Sequence, residues 1–196
     1  MTLARDLADS ATKANYLDNV TADIQTSITA NTTLANTKSK VIFHSVDVTT
    51  TSSQSLTANT PAEITGLTLT ITPQSASSKF LLMGAWNGEG SSTYSHETAF
   101  GFKRDSSYIG NPAAAGARPI GRGMLAQGYW TGNADSTMDS WTGQYLDSPN
   151  TTSAITYKVF ITVNNTQTLY NNRTVGDIDH TGSERTSSSL IVVEQV

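Results

Sequence analysis

From Leu3 to Leu34 the chain carries neither glycine nor proline. Its apolar residues return at steps of three and four: Leu3, Leu7, Ala14, Leu17, Val20, Ile24, Ile28 and Leu34. Polar residues, among them Asp6, Asp9, Lys13, Asp18 and Asp23, fill the positions between. This spacing predicts one amphipathic helix with a narrow apolar stripe. A helix of about 30 residues is about 45 Å long, and so thin a stripe must be buried against something. Copies of the same segment, wound as a loose coiled coil, are the expected cover. The stalk contacts are then Leu3, Leu7, Leu17, Val20, Ile24 and Ile28. The segment Asn31–Thr37, rich in Thr and Asn, is poor helix material and is expected to form a neck.

Near residue 38 the period changes. Val41–Val48 opens a β pattern, and the polar stretch Thr49–Ser55 is expected to be a turn. Ile64–Ile71 alternates apolar residues with Thr, the signature of a strand with one buried face. Lys79–Trp86 is almost continuously apolar and reads as an interior strand. Thr98–Arg104, Asp139–Tyr145, Ile155–Val163 and Ser188–Glu194 are further strands, and Met124–Trp130 is a candidate for another. Glycine-rich Gly110–Asp135 lacks a stable period. Eight to ten short strands suit a sandwich or jelly roll. The expected division is a helical stalk over 1–38 and a β head over 39–196, a mainly β fold overall.

Composition narrows the class. Charged residues are 14% of the 196, against an ordinary value of about 25%, while Ser and Thr fill roughly a quarter of the chain, far above usual usage. This is the composition of a β-rich exposed surface rather than of a cytosolic enzyme. The net charge of −4, with 12 scattered Lys and Arg, argues against nucleic acid as a partner. There is no cysteine, which removes disulfides, thiolate catalysis and Cys-ligated zinc. No apolar run reaches the ~20 residues of a membrane span, and the N-terminal twenty have no signal-peptide core. Synthesis in a host cytoplasm followed by assembly is the expectation.

Candidate chemistry is sparse. The histidines are His44, His96 and His180, and none stands in a nucleophile motif. Asp177, Asp179 and His180, with Glu184 nearby, put oxygen and nitrogen ligands within eight residues. The spacing misses the calcium-loop template, so no metal and no cofactor is expected, with these three as weak candidates. Glu89, Glu97, Asp135 and Asp139 are acidic, but no spacing selects a glycosidase pair. Among the aromatics, Tyr94, Tyr129 and Trp130 lie in or beside irregular segments and are the candidates to face a receptor. Trp86 and Trp141 sit inside strand-like runs, where packing in the head core or at a trimer axis is at least as good a reading as a receptor-facing one. Arg104, Arg118, Arg122, Arg173 and Arg185 are candidates for ion pairs between subunits.

The stretches GLTLTITPQSASSKFLLMG, FKRDSSYIG, YLDSPNTTSAITYKVFITV and NNRTVGDIDHTGSERTSSSLIVVEQV together resemble a recurrent tail-fibre or appendage domain of phages of marine cyanobacteria and related hosts. LARDLADSATKANYLDNVTADIQTSI is similar to segments that precede such domains. Apart from FKRDSSYIG, residues 87–135 are poorly matched. The resemblance implies a trimeric jelly-roll head of the tumour-necrosis-factor or complement-head kind, and it supplies no catalytic residues. The expected function is a homotrimeric virion protein that binds a host-surface glycan or protein and attaches to another virion protein through its stalk. The alternatives are a capsid decoration protein and, in another class, an envelope-glycan hydrolase or esterase.

Overall fold

The computed structural model describes residues 2–37, 40–91, 98–113, 116, 118–124, 138–179, 181 and 183–196. They divide into two units, Met1–Ser39 and Lys40–Val196. The first is one helix, α1 (Thr2–Thr37). The expected neck at Asn31–Thr37 is thus helical: nothing in the segment forces a stop, since it has neither glycine nor proline. Six hydroxyls, of Ser10, Thr12, Thr21, Thr26, Thr29 and Thr32, donate to the carbonyl four residues back at 2.8–2.9 Å. Such back-bonds satisfy the hydroxyls without strengthening the helix. A helix of this composition draws its stability from packing rather than propensity.

The second unit is a β-sandwich of two antiparallel sheets. Its strands are β1 (Val41–Val48), β2 (Ser52–Leu56), β3 (Ala62–Ile71), β4 (Lys79–Gly90), β5 (Thr98–Arg104), β6 (Ser107–Ile109), β7 (Gly123–Met124), β8 (Asp139–Asp147), β9 (Ile155–Val163), β10 (Gln167–Asn171) and β11 (Ser188–Gln195). The first sheet runs β1-β11-β4-β10-β2, with β8 on the other side of β4. Strand β4 is long enough to take β11 along Lys79–Ala85 and β10 along Gly88–Gly90 on one flank, and β8 along Phe80–Gly88 on the other. The second sheet runs β3-β9-β5-β6, with β7 also on β5.

Three elements depart from the sequence reading. The supposed turn Thr49–Ser55 contains most of β2, a polar edge strand that pairs only with β10. Having almost no apolar residue to bury, it carries no hydrophobic period. Strand β10, five residues long, escaped for similar reasons of length. In β3 the alternation slips: Thr65 and Gly66 both face solvent, and the register with β9 shifts between Glu63 and Thr68. Gly66 has φ +88°, a conformation that favours glycine, and a side chain there would press on Val48. The bulge returns Leu67 and Ile71 to the core face after Ile64. Of the candidate strand Met124–Trp130, only Met124 lies within the described residues.

The core lies between the sheets. Phe80, Leu82 and Trp86 of β4 face Phe100 and Phe102 of β5 and the inward residues of β9, all buried. Phe100 stacks on Trp141 with centroids 5.1 Å apart and lies 5.1 Å from Trp86. Both tryptophans are core residues of the head, which selects one of the placements their strand-like surroundings left open. Glycine makes room for them: a methyl group at Gly143 would collide with the Trp141 ring, and one at Gly88 would meet the carbonyl of Tyr170 and the Trp86 ring.

One buried polar network joins the sheets. Asp147 of β8 accepts from Arg104 of β5 through both carboxylate oxygens at 2.9 Å, and from the hydroxyl of Tyr157 of β9 at 2.8 Å. Burial pushes the Tyr157 phenol far above its ordinary value, and the bond to Asp147 adds to the shift. A folded-state pKa above the unfolded one stabilises below the unfolded value of about 10 and ceases to do so as pH rises beyond it. Tyr157→Phe is therefore expected to cost about 1–2 kcal/mol at neutral pH. The deficit should narrow above about pH 10, as read by chemical denaturation of both proteins across that range.

Candidate functional site

The outer faces of the two sheets differ in kind. On the second sheet several outward residues are paired within the head, although Met124 remains 61% exposed. Tyr108 packs edge-on against Phe160 at 4.8 Å, and the ammonium of Lys103 lies 5.3 Å from the Tyr108 ring centre. Glu63 takes Lys103 at 2.6 Å and Lys158 at 2.8 Å. Those two ammonium groups, Lys103 foremost, hold its carboxyl below the usual range. The apolar side chains of Ile155–Val163 on both faces of β9 are thus used inside the head.

On the first sheet the outward residues form one apolar row and a second, mixed one. Cross-strand register aligns Phe43, Val193, Leu81 and Leu146 across β1, β11, β4 and β8. The next row is Ser45, Ile191, Met83 and Gln144. Phe43 is 73% exposed and Leu146 59%. Small residues, Ala85 and Gly143 among them, leave a shallow groove of about 450 Å³ beside Met83 and Ile191. The free edge of β8 is guarded: Arg122 donates to the Gln144 carbonyl at 2.9 Å and stacks over Tyr145 at 4.9 Å. That bond occupies one carbonyl of the edge, whereas the face is open among the described residues of the head. The sequence reading missed Phe43 and Leu146. Their signal was present in β1, where Val41 and Phe43 alternate with Ile42, a strand apolar on both faces.

On the helix, Leu3, Leu7, Leu17, Ile24 and Ile28 are all exposed, from 86% at Leu3 to 52% at Ile28. Val20 is only half-buried. The helix therefore presents as an uncovered stripe the side chains that the sequence pattern selected.

The other candidates are placed as follows. Tyr94, Tyr129, Trp130, His96 and His180 lie outside the described residues. Asp177 binds Arg185 through both oxygens, at 2.8 and 3.0 Å, and approaches Arg173 at 3.9 Å. Arg185 holds the Asp177 carboxyl below its ordinary range. A carboxylate so engaged offers its charge to a guanidinium rather than to a metal ion. Among the described residues no three His, Asp or Glu side chains gather as a metal site. Arg104 and Arg185 make ion pairs within the chain, and Arg173 stacks over Tyr170 at 4.3 Å. Glu89 is buried and accepts from the Val175 amide at 2.7 Å.

A serine, a carboxylate and a histidine do converge. Ser78 donates to Glu194 at 2.7 Å, the Gln74 amide donates to the same oxygen at 2.7 Å, and His44 lies 3.5 Å from the other oxygen. The order is wrong for an activated nucleophile, in which imidazole stands between hydroxyl and acid. Ser78 is 1% exposed and Glu194 fully buried, so the trio is a brace between the β3–β4 loop and the edge of the first sheet. Glu194→Ala would leave a buried hydroxyl and an amide without their acceptor. It is expected to lower stability by about 2–4 kcal/mol in denaturant titration.

No helix among the described residues is long and apolar enough to cross a membrane. Compared with protein-family models and with curated proteins, the chain matches none.

Proposed function

We propose that the chain is a structural protein of a virus particle, a homotrimeric appendage of the tail-fibre kind. Its β-sandwich is a jelly-roll head that adheres to a glycan or protein on the host surface, and its helix joins another virion protein. The observation that carries the reading is the apolar row Phe43–Val193–Leu81–Leu146 on an outer sheet face. A soluble head leaves such a patch uncovered only at the cost of sticking, and copies of the head are the simplest cover. Pairing of the first strand with the last, β1 with β11, in a sheet of non-sequential order also fits the jelly-roll reading. Low charge, abundant hydroxyls and the absence of cysteine suit a particle exported by lysis. A trimer presents three identical loop sets and turns weak single contacts into avidity.

Light scattering of the full chain is expected to give three times the chain mass, and a clean monomer at micromolar concentration would overturn the proposal. Phe43→Asp with Leu146→Asp alters two exposed side chains and should shift the single head's stability by no more than about 0.5 kcal/mol. It is expected to weaken the concentration dependence of thermal unfolding that assembly confers. Labelled protein should bind host cells. Binding to tail-less capsids alone would favour decoration, and release of reducing sugar or acetate from envelope would favour an enzyme.

A further inference from the structure

Resting on the trimer reading, we propose that α1 forms a parallel, in-register three-stranded coiled coil with two further copies of itself. Its seam runs through Leu3, Leu7, Ser10, Ala14, Leu17, Thr21, Ile24, Ile28 and Asn31. These positions are separated by steps of four and three in unbroken alternation. That is a strict 3.5-residue period, which sets a left-handed supercoil. Val20 falls beside the seam, in the flanking position before Thr21.

Two observations name a copy of this chain as the occupant. The first is the state of the polar seam residues. Ser10 donates to the Asp6 carbonyl and Thr21 to the Leu17 carbonyl, each at 2.8 Å. Their hydroxyls enter an apolar seam already satisfied, so burying them leaves no orphaned donor. Asn31 brings an unspent amide to the same seam, and a polar layer of this kind rewards the alignment in which identical residues meet.

The second is charge complementarity. Lys13 flanks the seam on one side and Asp18, five residues on, flanks it on the other. In a parallel coil aligned in register, the ammonium of one chain meets the carboxylate of its neighbour. An antiparallel arrangement sets Lys13 against the like-sided flank of its partner instead. Three chains are favoured over two because the flanking positions also carry Ala4, Ala11 and Val20, and a third helix covers apolar flanks that a pair would leave wet.

The lack of cysteine gives a clean test. Leu7→Cys, Leu17→Cys and Ile24→Cys are introduced singly into the full chain, with the outward Asn19→Cys as control, and oxidised after the mass of each reduced protein is checked by light scattering. All three seam variants are expected to give disulfide-linked pairs of chains on a denaturing gel, and Asn19→Cys none. An antiparallel coil brings like positions together at one level only, so linkage in just one seam variant would overturn the proposal. Lys13→Asp is expected to reduce linkage at position 17, and adding Asp18→Lys to restore it. Trimeric mass without seam linkage would sink the coiled coil while leaving the trimer reading intact. Dimeric mass with linkage would sink the three-stranded form, and monomeric mass would sink both.

Discussion

Burial of two indoles and three phenylalanine rings between facing sheets is the interaction on which the head depends. With no disulfide to close loops, the sheets are held by Phe80, Trp86, Phe100, Phe102 and Trp141, each fully or almost fully buried. Replacing one such ring with alanine ordinarily costs about 3–5 kcal/mol, a large part of the 5–15 kcal/mol that typically stabilises a domain. The strand glycines follow from this constraint. Gly84, Gly88 and Gly143 sit where a methyl group would strike a ring or a backbone carbonyl, so the bulk of the rings and the absence of side chains opposite them are one design.

Buried polar groups then fix the alignment of the strands. Asp147 holds Arg104 and Tyr157 across the sandwich. Asn172, with φ 60°, donates to the carbonyls of Val48 and Thr50 and accepts from Ser188. Trp86 donates to Asn171 at 2.8 Å. Each bond adds about 1 kcal/mol net, but a misaligned partner leaves a buried group unsatisfied. These contacts therefore discriminate between registers more than they add stability. Several acidic residues that suggested chemistry in the sequence, Glu89 and Asp177 among them, are likewise spent on structure.

The two outer faces follow from the same economy. The second sheet zips its outer face with Glu63, Lys103, Lys158 and the Tyr108–Phe160 pair. The first sheet leaves β4 and β11 apolar on both sides. A strand that must be central in one sheet and face solvent has no reason to carry Leu81, Met83, Ile191 and Val193 outward. The exposed stripe of α1 poses the same question, and copies of this chain are the cover proposed for both.

Period alone determined the helix and the strands β1, β4, β5, β8, β9 and β11, because each buries a regular set of side chains that must recur at 3.6 or 2 residues. It also picked out Leu3, Leu7, Leu17, Ile24 and Ile28, which the helix exposes, since no head residue is needed to define them. Period could not find β2, whose stability comes from pairing with β10 rather than from its own side chains, nor the bulge at Gly66, which exists to bring Leu67 back to a core the local sequence does not contain. Above all it could not distinguish Leu81 from Leu82. Both lie in one apolar run, and only the packing of two sheets decides that Leu82 is consumed by the core while Leu81 joins Phe43, Val193 and Leu146 from three other strands on an open face. A row assembled across four strands is a property of register, and register is written in tertiary contacts rather than along the chain.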